Sequence, residues 1–276
     1  MIRTIRTAEA CRAFASGFLG DPQFSDPMLC SEEQVQSNLL HAIERADSHC
    51  VFGVYREERM IGLFAFLVLR DERYIEMLVG LSREKEAYSE TLQALEQRFP
   101  GYGADFVFNP QNDLLRALLT ARSAEFEPEQ QKMVLETPVL GVDTSDIEPL
   151  SARYAEAYCG MHNKEMYWTG EKVMAAQDRF RTLLAIRAGR VVGYLDVTYT
   201  RRENEPFDLF VLPEYRRMGY GRKLLAKALD MNRPNGMMLL VDVDNEPAIR
   251  LYASMGFAKA QGQNNLTAHW RIPDGK

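Results

Sequence analysis

Residues 207–225 read FDLFVLPEYRRMGYGRKLL and decide the fold of the second half of the chain. Apolar β-forming residues run up to Pro213, which cannot donate a hydrogen bond in a central strand and therefore ends it. After Gly221 the apolar residues recur at helical spacing, so a helix is predicted to begin there. The segment is thus predicted to form a strand, a glycine-containing turn and a helix.

The turn in this segment is suited to binding an anion. Gly219 and Gly221 lack a Cβ, so the backbone can adopt positive φ and bring its N–H groups close to a ligand. The first N–H groups of a helix have no intrahelical partner, and the helix dipole favours negative charge beside them. Four basic side chains surround the turn: Arg216, Arg217, Arg222 and Lys223. Neither a Walker loop nor a dinucleotide fingerprint is present.

A second bounded helix follows at residues 245–257, which read NEPAIRLYASMGF. Asn245 is a good N-cap, Pro247 suits the first turn, and Gly256 suits a left-handed C-terminal cap. By helical spacing alone, Tyr252 is a core aromatic whose hydroxyl finds a partner.

Together the two segments resemble the GCN5-related N-acetyltransferase (GNAT) superfamily. Its acyl-CoA loop reads Arg/Gln-x-x-Gly-x-Gly/Ala after a strand, and residues 216–221 fit every position. Residues 245–257 are similar to its later Asn-x-x-Ala-x-x-Leu-Tyr-x-x-x-Gly-Phe helix. The resemblance implies acetyl-CoA as cosubstrate, and it implies these cofactor-binding residues: Phe210, Val211, Leu212, Arg216, Arg217, Met218, Gly219, Tyr220, Gly221, Arg222 and Asn245.

The same resemblance implies transfer of the acetyl group directly to an amine in a ternary complex. Tyr252 is then expected to protonate the departing thiolate, and a backbone N–H of residues 210–212 to steady the oxyanion. An ammonium acceptor must lose a proton before it attacks. Asp208 is the first candidate for the base, followed by Glu205 and Asp196.

The chain is predicted to contain two similar copies, offset by about 131 residues. Residues 56–62 form a polar turn before the apolar run 63–69, as residues 187–193 do before 194–198. The predicted fold class is α/β, with two tandem GNAT-like domains, each a mixed, mostly antiparallel twisted sheet flanked by helices. The predicted boundaries are 1–137 for a degenerate domain and 138–276 for the catalytic domain.

The first copy is predicted to lack the cofactor loop. Residues 81–99 contain no glycine, and they carry Glu84, Glu86 and Glu90, which would repel a phosphate. Leu119 stands where the second copy has Tyr252. One active site per chain is therefore expected.

The acceptor is expected to be a cationic amine, such as a polyamine, an aminoglycoside-like sugar or a peptide amine. The formal net charge is −6, which favours a cationic substrate and speaks against nucleic acid. Five residues are predicted to contact this acceptor: Tyr158, His162, Tyr167, Trp168 and Asp196.

Composition sets further expectations. A hydrophobic content of 46% and a charged content of 26% are typical of a globular protein with a real core. We expect no membrane partner and a cytoplasmic location, because no apolar window is long enough to span a bilayer and residues 1–20 carry several charges. The four cysteines are interpreted as free thiols, and the scattered histidines predict no metal site. A homodimer is compatible with the sequence.

Two other functions fit the same motifs. One is a non-catalytic acyl-CoA-binding regulatory or scaffold protein, although Tyr252 argues against it. The other is aminoacyl transfer or acylation of a thiol precursor by a tandem GNAT protein, and the negative charge argues against a tRNA donor.

Overall fold

The computed structural model describes residues 1–18, 21–24, 31–162, 164, 168–199 and 203–275. Its strands are β1 (Ile2–Thr4), β2 (His49–Arg56), β3 (Arg59–Leu69), β4 (Tyr74–Leu81), β5 (Gly103–Phe108), β6 (Glu125–Phe126), β7 (Gln130–Leu135), β8 (Ile147–Pro149), β9 (Phe180–Arg187), β10 (Arg190–Thr198), β11 (Glu203–Asn204), β12 (Pro206–Val211), β13 (Gly236–Asp242), β14 (Phe257–Lys259) and β15 (Leu266–Arg271). Its α-helices are α1 (Glu9–Ser16), α2 (Glu32–Glu44), α3 (Lys85–Arg98), α4 (Asp113–Thr120), α5 (Ala155–Met161), α6 (Gly170–Ala175), α7 (Tyr220–Asn232) and α8 (Glu246–Ser254). Within these ranges no helix is long and apolar enough to cross a bilayer.

The first compact unit contains Met1–Gln131 and Gln261–Lys276. Its seven-stranded sheet has the order β1-β2-β3-β4-β5-β15-β6, mostly antiparallel, with β4 and β5 parallel. Apolar side chains alternate along these strands, so each face of the sheet carries a core: one under α3 and α4, and one under α1 and α2.

The second compact unit contains Lys132–Ala260. It holds two four-stranded sheets, β12-β10-β9-β8 and β11-β13-β7-β14. Helix α7 covers the larger core, which also receives α8, while α5 and α6 cover an aromatic cluster on the other face of β9 and β10. Both units are mixed α/β, and the predicted fold class is confirmed.

The units divide the chain at different places from the predicted boundary after residue 137. β15, the last strand of the chain, pairs along its whole length with β5 and belongs to the first unit. β7, which lies inside the predicted first domain, pairs with β14, and from Lys132 onward it belongs to the second unit. A repeat in the sequence gives the order of strands, but backbone pairing decides which sheet each strand completes.

One predicted helix is replaced by three shorter elements. The sequence pattern of residues 145–160 predicts a helix, whereas these residues form β8, a 3₁₀ turn at Ala152–Tyr154 and α5. Ile147 is buried, and β8 pairs with β9 as the edge of its sheet, so tertiary pairing overrides the helical pattern here.

In the first unit, a buried tyrosine closes the junction between β4 and α3. The Tyr88 hydroxyl donates to the carbonyl oxygen of Ser82 at 2.9 Å and accepts from Asn112 Nδ2 at 2.9 Å. Tyr88 is 1% exposed, and Asn112 also caps α4 by accepting from the N–H of Leu115. The hydroxyl therefore ties the end of β4 to the start of α4.

Tyr88→Phe should lower the free energy of unfolding of the first unit by about 1–3 kcal/mol, because it leaves two buried polar groups unpaired. Urea denaturation measures the change. Tyr102→Phe is the control, since that half-buried hydroxyl makes no hydrogen bond among the described residues. Equal losses in both variants would contradict a specific role for the Tyr88 bridge.

Candidate active site

The strand that carries Asp208 parts from its neighbour within the second unit. β11 pairs in parallel with the first two residues of β13. The chain then continues as β12, which forms the edge of another sheet and pairs with β10. Among the described residues no ladder joins β12 to β13, so the outer backbone edge of β12 is unpaired, and we call this parting of the two strands the opening.

The direction of one backbone N–H at this edge, that of Val211, follows from the hydrogen bond of its neighbour. The N–H of Leu212 donates to the carbonyl oxygen of Val192 at 2.9 Å, toward β10. Successive residues of a strand direct their backbone groups to opposite sides, so the N–H of Val211 points away from β10. The carbonyl oxygen of Val211 is held by Arg216 Nε at 3.0 Å.

Gly193 allows β12 to lie close to β10. A Cβ at this position would be 2.7 Å from the carbonyl oxygen of Phe210 and 3.2 Å from Cα of Val211. Only glycine avoids this clash. Sequence reasoning missed Gly193, although a glycine inside a strand pattern is a signal of close backbone approach.

The turn after β12 has the backbone that its glycines predict. Arg217 has φ of 63° and Gly219 has φ of 89°, both left-handed. Gly219 is the N-cap of α7, and no side chain caps this helix start. A Cβ on Gly219 would have no atom within 4 Å, so the space beside this residue is open. The geometry fits a phosphate group.

The remaining residues of the turn divide into exposed and packed positions. Arg217, Met218 and Arg222 are exposed, whereas Tyr220 is 8% exposed in the core under α7. Gly221 packs against α8, because a Cβ there would be 3.1 Å from Leu251 Cδ2.

Lys223 does not join the positive charge of this turn. Its Nζ lies 2.8 Å from Asp146 Oδ2. The ion pair ties α7 to the segment just before β8, so the expected contribution of Lys223 to anion binding is not supported.

Tyr252 is buried near two carboxylates. The side chain is 8% exposed and packs edge-on against Phe257 at 6.0 Å between ring centroids. Burial, together with the smaller effect of the negative charges of Asp208 and Glu205, raises the pKa of Tyr252 to about 12. The hydroxyl therefore stays protonated at neutral pH, as a general acid must.

Asn245 caps the helix that carries Tyr252. Its Oδ1 accepts from the N–H of Ala248 at 3.2 Å. This bond accounts for an asparagine at the position, and its cofactor contact stays a prediction.

A β-bulge orients Asp208. Asp196 pairs with Asp208 and Val197 pairs with Pro206, so Phe207 is an extra residue in β12. Beyond the bulge, Asp208 lies on the same face as Tyr194, whose hydroxyl donates to Asp208 Oδ2 at 2.7 Å. Burial raises the pKa of Asp208, while this bond and the charge of His162 oppose the rise. The Asp208 side chain is 25% exposed and remains accessible.

Asp196 lies deeper than Asp208, with no exposed surface. The Tyr158 hydroxyl donates to its two oxygens at 2.8 and 3.0 Å, and the Thr182 hydroxyl donates to Oδ1. His162 Nε2 lies 2.9 Å from Asp196 Oδ2. Sequence reasoning missed Thr182 and Tyr194, although strand alternation places Tyr194 on the same face as Asp196.

Glu205 lies just before β12. Its N–H donates to the Thr198 hydroxyl at 2.8 Å, and its carbonyl oxygen accepts from the Thr198 N–H. Its charge reaches Tyr252, so it remains the second candidate for the base.

The residues predicted to contact the acceptor differ in how deeply they are buried. Tyr158, His162 and Asp196 are buried, which favours a supporting position behind Asp208. Trp168 is half-buried, with its ring 4.9 Å from that of Phe180. Tyr167 lies outside the described residues.

His162, Asp196 and Asp208 bring potential ligand atoms within 4.8 Å of one another. Sequence reasoning expected no metal, because the histidines are scattered along the chain. That expectation stays a prediction, and a metal titration can test it.

The fold and this site define a GNAT-type acyltransferase domain. Residues 147–257 match the family described as Acetyltransferase (GNAT) family. They include the strand, turn and tyrosine helix described above. The chain belongs to the GNAT acetyltransferase family.

Two curated relatives illustrate the similarity. Mycothiol acetyltransferase of Thermomonospora curvata is 34% identical over 110 residues, 36% of this chain and 36% of that protein. The [ribosomal protein bS18]-alanine N-acetyltransferase of Escherichia coli is 30% identical over 100 residues, 34% of this chain and 68% of that protein. The match thus spans about a third of the length of the first of these relatives.

Solved structures match over nearly the whole chain. A GCN5-related N-acetyltransferase from Sphaerobacter thermophilus has a TM-score of 0.68 at 13% identity, covering 100% of this chain and 96% of that one. A tandem GNAT protein from the clavulanic acid biosynthesis pathway has a TM-score of 0.55 at 14% identity, covering 87% and 89%. At such identities the likeness shows the fold alone, and it includes the tandem organisation.

Proposed function

We propose that this protein transfers the acetyl group of acetyl-CoA to a primary amine of a small molecule or peptide, at one site in the second unit. The observation that carries the proposal is the parting of β12 from β13 beside an uncapped helix start. Asp208 lies on the parted strand, and the protonated Tyr252 lies within reach of its charge.

The opening supports each part of the cofactor's binding. The pyrophosphate would lie at the N-terminus of α7, where Gly219 leaves space and Arg217 and Arg222 are exposed. The outer edge of β12, where Val211 directs its backbone groups away from β10, would pair with an amide group of the pantetheine arm, and Phe210 and Leu212 would flank this contact. The N–H of Val211 is the donor of this edge best placed for the oxyanion.

Two side chains would supply the general base and the general acid, Asp208 and Tyr252 respectively. Asp208 takes one proton from the ammonium, and the neutral amine nitrogen attacks the thioester carbonyl. As the C–N bond forms and the C–S bond breaks, Tyr252 gives its proton to the sulfur. Tyr252 recovers a proton from the amide nitrogen, so one proton ends on the thiol and one leaves through Asp208. Asp196 is a weaker candidate for the base, because it is buried and accepts from two hydroxyls.

The comparisons leave the acceptor open. The relatives are named for mycothiol, for an alanine of a ribosomal protein and, in Vibrio cholerae, for spermidine. The net charge of −6 and the carboxylate at the opening support a cationic amine. Acylation of a thiol precursor is the second candidate, and similarity to the mycothiol enzyme favours it.

Thermal unfolding with acetyl-CoA, followed by an amine panel, tests the proposal. Acetyl-CoA at 100 times its dissociation constant should stabilise the protein by about 2.7 kcal/mol. Spermidine, a peptide with N-terminal alanine and an amino sugar are then scored for free CoA release. Stabilisation without transfer to any amine would favour the scaffold alternative, and no stabilisation at millimolar acetyl-CoA would refute the proposal.

Gly219→Ala should weaken acetyl-CoA binding about tenfold or more, because a methyl group would occupy the space in front of the α7 N–H groups and left-handed backbone costs about 1–2 kcal/mol without glycine. Isothermal titration calorimetry measures the dissociation constant. Gly141→Ala is the matched control, since Gly141 also has positive φ and no atom within 4 Å of a Cβ, but lies away from the turn. Equal affinities in the two variants would argue against a phosphate at Gly219.

A further inference from the structure

We propose that His162 is a buried proton acceptor behind Asp208, held in one tautomer by Asp196, and that it receives the proton that Asp208 takes from the acceptor amine. This inference rests on the proposed function and deepens it. It assigns His162 to proton transfer, although the sequence placed it on the acceptor-binding surface.

The first support is the order of the three side chains from solvent inward. Asp208 is 25% exposed, His162 is 2% exposed and Asp196 is fully buried. His162 Nδ1 lies 3.8 Å from Asp208 Oδ2, and Nε2 lies 2.9 Å from Asp196 Oδ2. A substrate can therefore meet Asp208 first, and the imidazole bridges from it to the inner carboxylate.

The second support is that the imidazole nitrogens lack other partners. Both are buried, and neither makes a hydrogen bond of normal geometry with any described residue, despite the short approach of Nε2 to Asp196. Buried polar atoms without partners are uncommon, and each asks for an explanation. Proton exchange with the flanking carboxylates is an explanation that accounts for both nitrogens.

The third support is that the ring is held firmly in place. It stacks on Tyr194 with centroids 4.4 Å apart and an interplanar angle of 15°, and it meets Tyr158 edge-on at 4.7 Å. A Cβ on Gly170 would lie 3.2 Å from its Cδ2, so α6 covers another edge. The imidazole cannot turn away from the carboxylates without disturbing three elements.

The arrangement favours a bridge over a chelate. Each carboxylate approaches a different ring nitrogen, whereas one ion would bind a single nitrogen and both carboxylates together. Asp196 is further occupied by the hydroxyls of Tyr158 and Thr182. Burial raises the pKa values of Tyr158 and Tyr194, so both stay protonated as donors to these carboxylates.

The titratable groups that face His162 come from each packed element. Among the described residues they are Tyr158 on α5, Tyr194 and Asp196 on β10, Asp208 on β12, and the exposed Glu171 on α6. The three carboxylates favour a positive charge on the ring, and the hydroxyls of Tyr158 and Tyr194 stabilise Asp196 and Asp208. An imidazolium formed here is therefore stabilised most directly by Asp196.

The proton balance is closed. Neutral His162 carries its proton on Nε2, toward Asp196, and presents the Nδ1 lone pair to Asp208. Asp208 accepts a proton from the ammonium and passes it to Nδ1, so Asp208 is again a carboxylate and His162 is an imidazolium. For this step the distance of 3.8 Å between His162 Nδ1 and Asp208 Oδ2 must shorten, as catalytic hydrogen bonds often do on substrate binding, or one water must bridge the two atoms. After acyl transfer the proton returns through Asp208 to solvent.

Nitrogen NMR of the histidine rings tests the tautomer without any substrate. In the neutral ring of His162 the spectrum should show Nε2 protonated and Nδ1 unprotonated, and His162→Gln assigns the signals. Asp196→Asn should change the tautomer ratio. A ring protonated on Nδ1 would overturn the proposal, and so would zinc or manganese ions that shift these signals at micromolar concentration.

Kinetics with two amines of similar size test the role in turnover. Ethylamine is an ammonium at neutral pH, whereas 2,2,2-trifluoroethylamine is largely neutral and needs no base before it attacks. His162→Gln should lower kcat at least tenfold more for ethylamine than for trifluoroethylamine. His269→Gln is the matched control, because His269 also lies between two carboxylates but in the first unit. It should leave the ratio of the two rates unchanged.

The outcomes separate the two proposals. If the wild-type protein acetylates no amine, the proposed function fails, while the NMR result still stands or falls alone. If the wild type acetylates both amines and a folded His162→Gln variant loses the two rates equally, the proton-accepting role is refuted and a packing role is left.

Discussion

Tyr252→Phe should lower kcat about 10²-fold and leave the dissociation constant of acetyl-CoA nearly unchanged, because it removes only the hydroxyl that protonates the thiolate. The ring keeps its place, since its contacts with Phe257 and the α7 core do not involve the hydroxyl. Steady-state kinetics and calorimetry on one preparation separate the two effects.

The pH dependence of the wild type gives a second measure of Tyr252. Burial raises the pKa of its hydroxyl to about 12, so the acid form is present throughout the working range. No loss of activity from its ionisation is expected below roughly one pH unit under that value. Tyr154→Phe is the control, since Tyr154 is equally buried in the second unit at 8% exposure. Equal kcat for Tyr252→Phe and the wild type would remove Tyr252 from the mechanism.

Asp208→Asn should lower kcat/KM for a protonated amine about 10²-fold at neutral pH, because the amide cannot take a proton. The wild type should lose activity as pH falls through the pKa of Asp208, which burial raises above the usual range of a carboxyl. In the variant this acid limb should disappear. A pH series of kcat/KM measures both.

The expected effect of Asp208→Asn on stability is opposite in direction to its effect on activity. The folded pKa of Asp208 is raised, so the native state holds the proton more tightly than the unfolded chain and loses stability as pH rises through that value. Asp208→Asn should therefore keep or raise Tm at neutral pH. Asp105→Asn is the matched control, because Asp105 likewise accepts a tyrosine hydroxyl, at 2.8 Å from Tyr74, in the first unit. An unchanged acid limb in Asp208→Asn would assign the base to Glu205 or to water.

Short-range sequence patterns are sufficient to predict much of the secondary structure. The apolar β-forming residues of 74–81 predict a strand at the observed bounds of β4, and the caps of α8 follow from Asn245 and Gly256. The left-handed backbone of Gly219 follows from its place before a helical pattern. These features depend on neighbours a few residues away, so the sequence contains their causes.

Tertiary structure decided the arrangement of the candidate site. The bulge at Phe207 turns Asp208 toward Tyr194, and no local pattern marks the extra residue. His162 comes to lie between Asp196 and Asp208, which follow it by more than thirty positions. Side chains so far apart meet only when β9, β10 and β12 pair and α5 packs on them.

The sequence by itself determined the two copies, the family of the second and the positions of its glycine turn and tyrosine helix, because each depends on contiguous residues. Only the tertiary structure decided that β7 completes the second unit and β15 the first, and that β12 parts from β13. Strand exchange and strand parting depend on which backbone edges find partners, and every strand carries the same backbone donors and acceptors whatever its sequence. Pairing energy between distant segments makes that choice.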